Sequence, residues 1–222
     1  MKAKLKYPSK TFFIADTHFG HASIINHCKR PFASVQEMDE CLISNWNSII
    51  KSGNTVYVLG DFAYKDHLKY LHRLNGQKIL IVGNHDKMSG KVKECFSEIH
   101  PMLRRNFFKQ DVTLCHYAMV TWANSIHGSW QLYGHSHGRL IESPTMKQLD
   151  VGVDTWNYSP VPFEVVKMVM DTKADKIIYP DGNGDPHKAI AENTFNHLGI
   201  WNDYDKKTRI TTTRNKGISI SS

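Results

Sequence analysis

The chain has no CxxC pair, no internal repeat and no apolar run long enough to cross a membrane. Its four cysteines, Cys28, Cys41, Cys95 and Cys115, are scattered over 222 residues. A chain of that size has enough core to do without disulfide staples, so free, mostly buried thiols and a reducing, cytoplasmic compartment are expected. The basic opening segment MKAKLKYPSK is followed by only five apolar residues, TFFIA, before Asp16. That excludes a secretory signal of ordinary length and a spanning helix. A composition 41% hydrophobic and 22% charged excludes wholesale disorder.

Strong charge is also missing from most of the chain. The formal net charge is +7, but residues 205–222 hold Lys206, Lys207, Arg209, Arg214 and Lys216 against Asp205, a net of +4 that leaves +3 for everything before them. The basic signal thus belongs to a Thr- and Ser-rich tail, which reads as a solvated terminus before it reads as a nucleic-acid arm.

What is present is a series of short β-branched and aromatic runs, each stopping at a polar residue: TFFIAD (11–16), TVYVLGD (55–61), KILIVGNHD (78–86), DVTLCH (111–116), WQLYGHSH (130–137) and QLDVGVD (148–154). They are expected to be buried strands. Ser34 and Glu37 form a capping box ahead of apolar residues at helical spacing, which predicts a helix over about 35–51. A shorter helix is expected over 66–74, and residues 161–171 fit either a third helix or a strand. Strands and helices alternate first and strands cluster later, which is the pattern of an α/β sandwich with two helix-covered sheets. The turn-rich YPDGNGDPHK at 179–188 places the domain at about 1–172 and an appendage at 173–222.

The strand-ending residues carry the chemistry. Asp16 and His18, Asp61, Asn84, His116, and His135 and His137 follow five different runs, and strand ends at one edge of an α/β sheet converge on a ligand crevice. Each alone would be a turn residue or a surface histidine. Together, with glycines at 60, 83 and 134 that permit sharp turns, they form a donor set of carboxylate, amide and imidazole without thiolate. That set suits Mn²⁺, Fe, Zn²⁺, Ni²⁺ or Co²⁺ rather than a structural zinc or Cu(I). Seven donors exceed one ordinary site, so two divalent ions sharing a carboxylate are expected.

These motifs, DTH (16–18), GD (60–61), GNHD (83–86), CHY (115–117) and GHSH (134–137), resemble in order and spacing those of the calcineurin-like metallophosphoesterases. FGH (19–21) and RPF (30–32) are similar to a compact bacterial and phage-encoded branch, which implies a bacterial or phage-infected host cytosol. The resemblance implies a four-layer α/β/β/α sandwich of two mixed sheets with a dinuclear metal centre at the strand ends. It implies that Asp16, His18 and His137 hold one ion, Asn84, His116 and His135 the other, and Asp61 both.

The chemistry expected is metal-dependent phosphodiesterase or phosphatase action by a metal-bound hydroxide, with Mn²⁺ the first candidate for both ions. His85 is the candidate acid for the leaving oxygen, and Asp86 the candidate to orient it. Arg30, before Pro31, is the preferred phosphate contact, with His21 as a second; Lys29, Tyr117, Trp122 and Arg139 also lie near the motifs. The expected partner is a nucleotide or other small phosphoester. The alternatives are a metal-dependent nuclease acting on DNA or RNA, supported by the tail charge alone, and a non-catalytic scaffold with the same fold, against which every motif position is filled.

Overall fold

The computed structural model describes residues 10–141 and 146–173. In chain order its strands are β1 (Thr11–Ile14), β2 (Thr55–Val58), β3 (Gln77–Ile81), β4 (Glu98–His100), β5 (Met102–Phe107), β6 (Gln110–Cys115), β7 (Trp130–Tyr133), β8 (Gln148–Asp150) and β9 (Val161–Pro162). The helices are α1 (Ala22–His27), α2 (Val35–Ile49), α3 (His67–Leu71), α4 (Gly90–Lys93) and α5 (Phe163–Asp171). The appendage expected at 173–222 lies, apart from its first residue, outside the described residues. None of the described helices is long and apolar enough to cross a membrane.

Both sheets are mixed. The first runs β4-β3-β2-β1-β9, parallel except where β9 joins β1. The second runs β5-β6-β7-β8, with only the β5–β6 pair antiparallel. The pleat of the first sheet sorts its side chains into two cores. Phe12, Ile14, Val56, Val58 and Leu80 face one way and pack with Met38, Leu42 and Trp46 of α2. Phe13, Ala15, Tyr57, Leu59, Ile79 and Ile81 face the other way and meet Val112, Leu114, Trp130 and Leu132 of the second sheet. A helix thus covers one face of the first sheet and the second sheet covers the other. Residues of α5 (Phe163, Val166, Met170) join this second core. Gln131, on the opposite face of β7 from Trp130 and Leu132, bonds to Tyr117 and Met119 of the loop between β6 and β7.

Local signals explain α2. Ser34 Oγ accepts from Glu37 N, while Glu37 Oε2 reaches back to Ala33 N at 2.8 Å, one residue before the cap. The ambiguous segment 161–171 divides: Val161–Pro162 forms an edge strand, where proline costs no ladder bond, and the remainder is helix. The four cysteines are unpaired and half-buried rather than fully buried.

Candidate metal centre

The loops after β1 and β2 are laced together. Asp16 N donates to Gly60 O at 3.0 Å, His18 N to Asp61 O at 2.9 Å and Phe19 N to Phe62 O at 3.0 Å. The loop after β3 joins them closely: a side chain at Gly60 would lie 2.7 Å from the Gly83 backbone and 2.5 Å from His116 Nδ1. Glycine is required there because backbone meets backbone. Asp86 secures the same junction, its carboxylate accepting from Gly83 N, Asp61 N and Phe62 N at 2.8, 2.9 and 2.9 Å. Asp86 therefore staples two loops through the backbone, and its hydrogen bonds do not go to the His85 ring that it was expected to orient.

The structure brings all seven candidate ligands together in two groups. Asp16, His18 and His137 offer ligand atoms within 4.8 Å of one another, as do Asp61, His116 and His135. Asn84 adjoins the second group, its Oδ1 3.2 Å from His116 Nε2. Asp61 lies between them: its Oδ2 is 3.5 Å from His18 Nε2 and 3.5 Å from His116 Nε2. Its Oδ1 accepts from His85 N at 2.9 Å. His135 and His137 fall in different groups because both have left-handed backbone, φ 65° and 49°, which breaks the alternation of an extended segment. Asp16, His18 and Asp61 share that conformation (φ 57°, 48° and 53°). Strain of this kind in non-glycine residues collects where a site requires it.

The donor set fits bound cations. His116 Nδ1 donates to Leu59 O at 2.7 Å and His137 Nδ1 to Asp154 Oδ2 at 2.7 Å. His18 Nδ1 meets His21 Nδ1 at 3.2 Å, and His21 Nε2 meets Ser23 Oγ at 2.9 Å. Assigning the protons to these outer bonds leaves Nε2 of all three rings as a lone pair. His18 Nε2 is buried with no hydrogen-bond partner. Imidazole lone pairs facing carboxylate and amide oxygens repel unless a proton or a metal ion sits among them, and the outer partners are those that orient metal-binding histidines.

Electrostatics agree. Burial pushes the Asp16 carboxyl up to about 7, with His137 and His116 opposing. Burial holds His18 down to about 3. Burial also opposes ionisation of Asp61, but with no ion bound a proton on His116, the His85 amide and His18 together keep that carboxyl below its ordinary range, so positive charge at the place of the ions is what stabilises it. For Asp154 burial is likewise outweighed, by His137 and Arg30.

Asp16 supplies a stability test. Its proton is held more tightly in the folded chain than in the unfolded one, where a carboxyl titrates near ~3.9. Its contribution to stability is therefore full below about pH 4 and lost as pH rises through about 7. The depressed His18 acts in the opposite sense, but it is common to wild type and variant. Metal-free Asp16→Asn should therefore melt at least about 5 °C above metal-free wild type at pH 8, with the gap closing towards pH 4. Equal melting temperatures at both pH values would show that the buried carboxylate carries no such cost.

Arg30 does not face the crevice. It is 4% exposed; its Nε and Nη2 grip Asp154 at 2.8 Å each, Nη2 also reaches Asp16 O at 2.7 Å, and Nη1 reaches Thr17 O and Met38 Sδ at 3.2 and 3.4 Å. All five N–H groups are committed, which leaves none for a phosphate. Arg30 N bonds back to Ile25 O, which folds the residue under α1 rather than towards the crevice where a phosphate contact was expected. His21 lies at the site, but both ring nitrogens are engaged and its face stacks on Tyr64 at 4.5 Å. Trp122 is buried and bonds Ser129 O. His85 is exposed, its ring 5.4 Å from that of His18.

Sequence reasoning missed Asp154, which ties Arg30 to His137, although it ends a β-rich run like the ligands do. It also missed Asp150, whose carboxylate accepts from Ser136 Oγ at 2.5 Å and Gly138 N at 3.1 Å and so braces the GHSH loop. Asp39 was hidden inside α2: it accepts from Gly20 N at 3.0 Å and Tyr70 Oη at 2.8 Å, fixing the turn after His18. A carboxylate beside the apolar stripe of a helix was the available signal.

No family model matches the chain. The crystal structure of the protein of unknown function AQ665 from Aquifex aeolicus superposes with a TM-score of 0.58 at 25% identity, covering 72% of this chain and 98% of that one. The gene 66 protein of Mycobacterium phage L5 is 27% identical over 183 residues, 67% of this chain and 88% of the phage protein. The uncharacterized protein MJ1445 of Methanocaldococcus jannaschii is 34% identical over 180 residues, 76% of this chain and 96% of the archaeal protein. With that identity over nearly the whole of the relative, the chain belongs to the same family as MJ1445.

Proposed function

We propose that the chain is a phosphoester hydrolase of the calcineurin-like metallophosphoesterase type, using two divalent ions, Mn²⁺ first, at the strand ends of a layered α/β sandwich. The observation that carries this reading is Asp61, whose Oδ2 lies 3.5 Å from an imidazole nitrogen of each ligand group. One carboxylate shared by two groups is what a two-metal site uses. Asp16, His18 and His137 would hold one ion, and Asn84, His116 and His135 the other.

When bound, the ions withdraw the charge that builds on the phosphoryl oxygens and make water a nucleophile at neutral pH. The protein does the rest. His116, His137 and His18 keep their Nε2 lone pairs aimed inward through bonds to Leu59, Asp154 and His21. The His85 backbone is fixed by Asp61 Oδ1, and its exposed ring would give a proton from a ring nitrogen to the leaving oxygen. Arg30 acts through Asp154 on His137 rather than on substrate. Asp86 holds the loops bearing Asp61 and His85 in register.

Asp154 is accordingly a positioning residue. Asp154→Asn should weaken binding of one ion by roughly 10- to 100-fold and leave the other nearly unchanged. Calorimetric Mn²⁺ titration reads this directly, and two unaltered binding steps would remove Asp154 from the account.

The function itself is tested with nitrophenyl mono- and diesters, cyclic nucleotides, oligonucleotides and plasmid, each with Mn²⁺, Fe²⁺, Zn²⁺, Ni²⁺ and Co²⁺. Chelator-sensitive hydrolysis of at least one ester is expected. No turnover of any ester with any ion would overturn the proposal.

A further inference from the structure

Outside the candidate centre the structure has an open cleft of about 420 Å³ between α3 and α4, lined by Asp66, His67, Leu68, Lys69, Lys87, Ser89 and Val92. Both walls grow out of the site loops. On one side the segment from Asp61 passes through Tyr64 into Asp66 and His67. On the other, Lys87 follows the GNHD motif and its N–H folds back onto His85 O at 3.0 Å. Three residues separate Lys87 from Asn84, so their Cα atoms are no more than about 11 Å apart.

The surface around this cleft is basic. Residues 65–69 and 87–94 carry Lys65, Lys69, Lys87, Lys91 and Lys93 against Asp66 and Glu94, all exposed. The side of the site that carries α3 and α4 therefore has a net charge of +3. Tyr64, 59% exposed, lies in the chain between Asp61 and the cleft residues Asp66 and His67, held face to face with His21 at 4.5 Å and an interplanar angle of 10°. An aromatic ring fixed by stacking and open on its other face is a platform for a base.

We propose that the α3–α4 cleft is a subsite for a second phosphate of the substrate, the one adjacent to the scissile phosphate in an oligonucleotide strand. Lys69 and Lys87 neutralise it, the Ser89 hydroxyl hydrogen-bonds it, and Tyr64 stacks the intervening base. This rests on the hydrolase reading for the identity of the scissile group, but the cleft itself binds without turnover. It makes the preferred substrate a strand carrying several phosphates rather than a lone ester.

The test is binding of fluorescein-labelled oligothymidylate of about six nucleotides to full-length protein by anisotropy across a salt series, alongside kinetics. The proteins are wild type, the Lys69→Glu/Lys87→Glu variant and Lys51→Glu, whose exposed lysine precedes β2, at the opposite end of that strand from Asp61. The double variant should bind roughly 10-fold more weakly, with the slope of log Kd against log salt reduced by about 0.7 for one lost phosphate contact. Its ratio of kcat/KM for the oligonucleotide to that for bis-para-nitrophenyl phosphate should fall by about the same factor, and Lys51→Glu should match wild type. Wild-type affinity and slope in the double variant, or an equal loss in Lys51→Glu, would overturn the subsite. Lysine-dependent binding by a protein that hydrolyses nothing would instead overturn the hydrolase reading and leave the subsite standing.

Discussion

Replacing Asp61 with Asn is expected to remove about one equivalent of metal and nearly all turnover, a loss on the order of 10³-fold in kcat. The expectation follows from position. Asp61 is 2% exposed, its Oδ2 stands equally far from His18 and His116, and its Oδ1 is already used by the His85 amide. An amide in its place keeps the acceptor for His85 N but replaces the shared oxygen with an N–H, so both ions lose the common ligand and its negative charge, and the two can no longer be held side by side. Folding should survive, because the side chain is nearly isosteric and the loop is also secured by Asp86. Metal analysis and steady-state kinetics on one preparation read both effects. Full occupancy with near-normal activity would contradict the bridge.

The second large effect concerns His85 and depends on the leaving group. Aryl oxides leave readily without a proton, whereas alkoxides do not, so an acid matters in proportion to the basicity of the departing oxygen. His85→Asn should retain both metals, lose roughly 10²- to 10⁴-fold in kcat on a nucleoside ester and lose much less on a nitrophenyl ester. The structure sharpens this expectation, since the His85 ring is exposed and belongs to neither ligand group. Equal losses on both esters would assign His85 to charge stabilisation, and loss of a metal would make it a ligand; either result ends its role as acid.

The candidate site was legible in the sequence because its residues sit where strands stop, and a run such as TVYVLGD announces both the strand and its end. The positions of Asp16, Asp61, Asn84, His116, His135 and His137 followed from that single regularity. The edges were harder to read. β4, β5 and β9 all lie at sheet edges; β5 alternates exposed and half-buried residues through Arg104 and Arg105, whose ion-pair partners are Asp111 and Glu98. A half-exposed strand stabilised by ion pairs does not look like an apolar run.

Roles proved less legible than positions. Arg30 carries the charge a phosphate contact needs, yet its use was decided by Asp154, 124 residues away in the chain. Asp86 is adjacent to His85, yet its carboxylate turns to the backbone of residues 61, 62 and 83. Residue type and strand-end placement are local properties that a sequence carries. Which donor meets which acceptor is fixed only when the loops pack together.

Anomalous diffraction from crystals of the Mn²⁺-loaded protein tests the central claim most directly. The account predicts two manganese peaks roughly 3.5–4 Å apart, one among Asp16, His18 and His137 and the other among Asn84, His116 and His135, with the Asp61 carboxylate between them. A single peak, or none in either group, would contradict it.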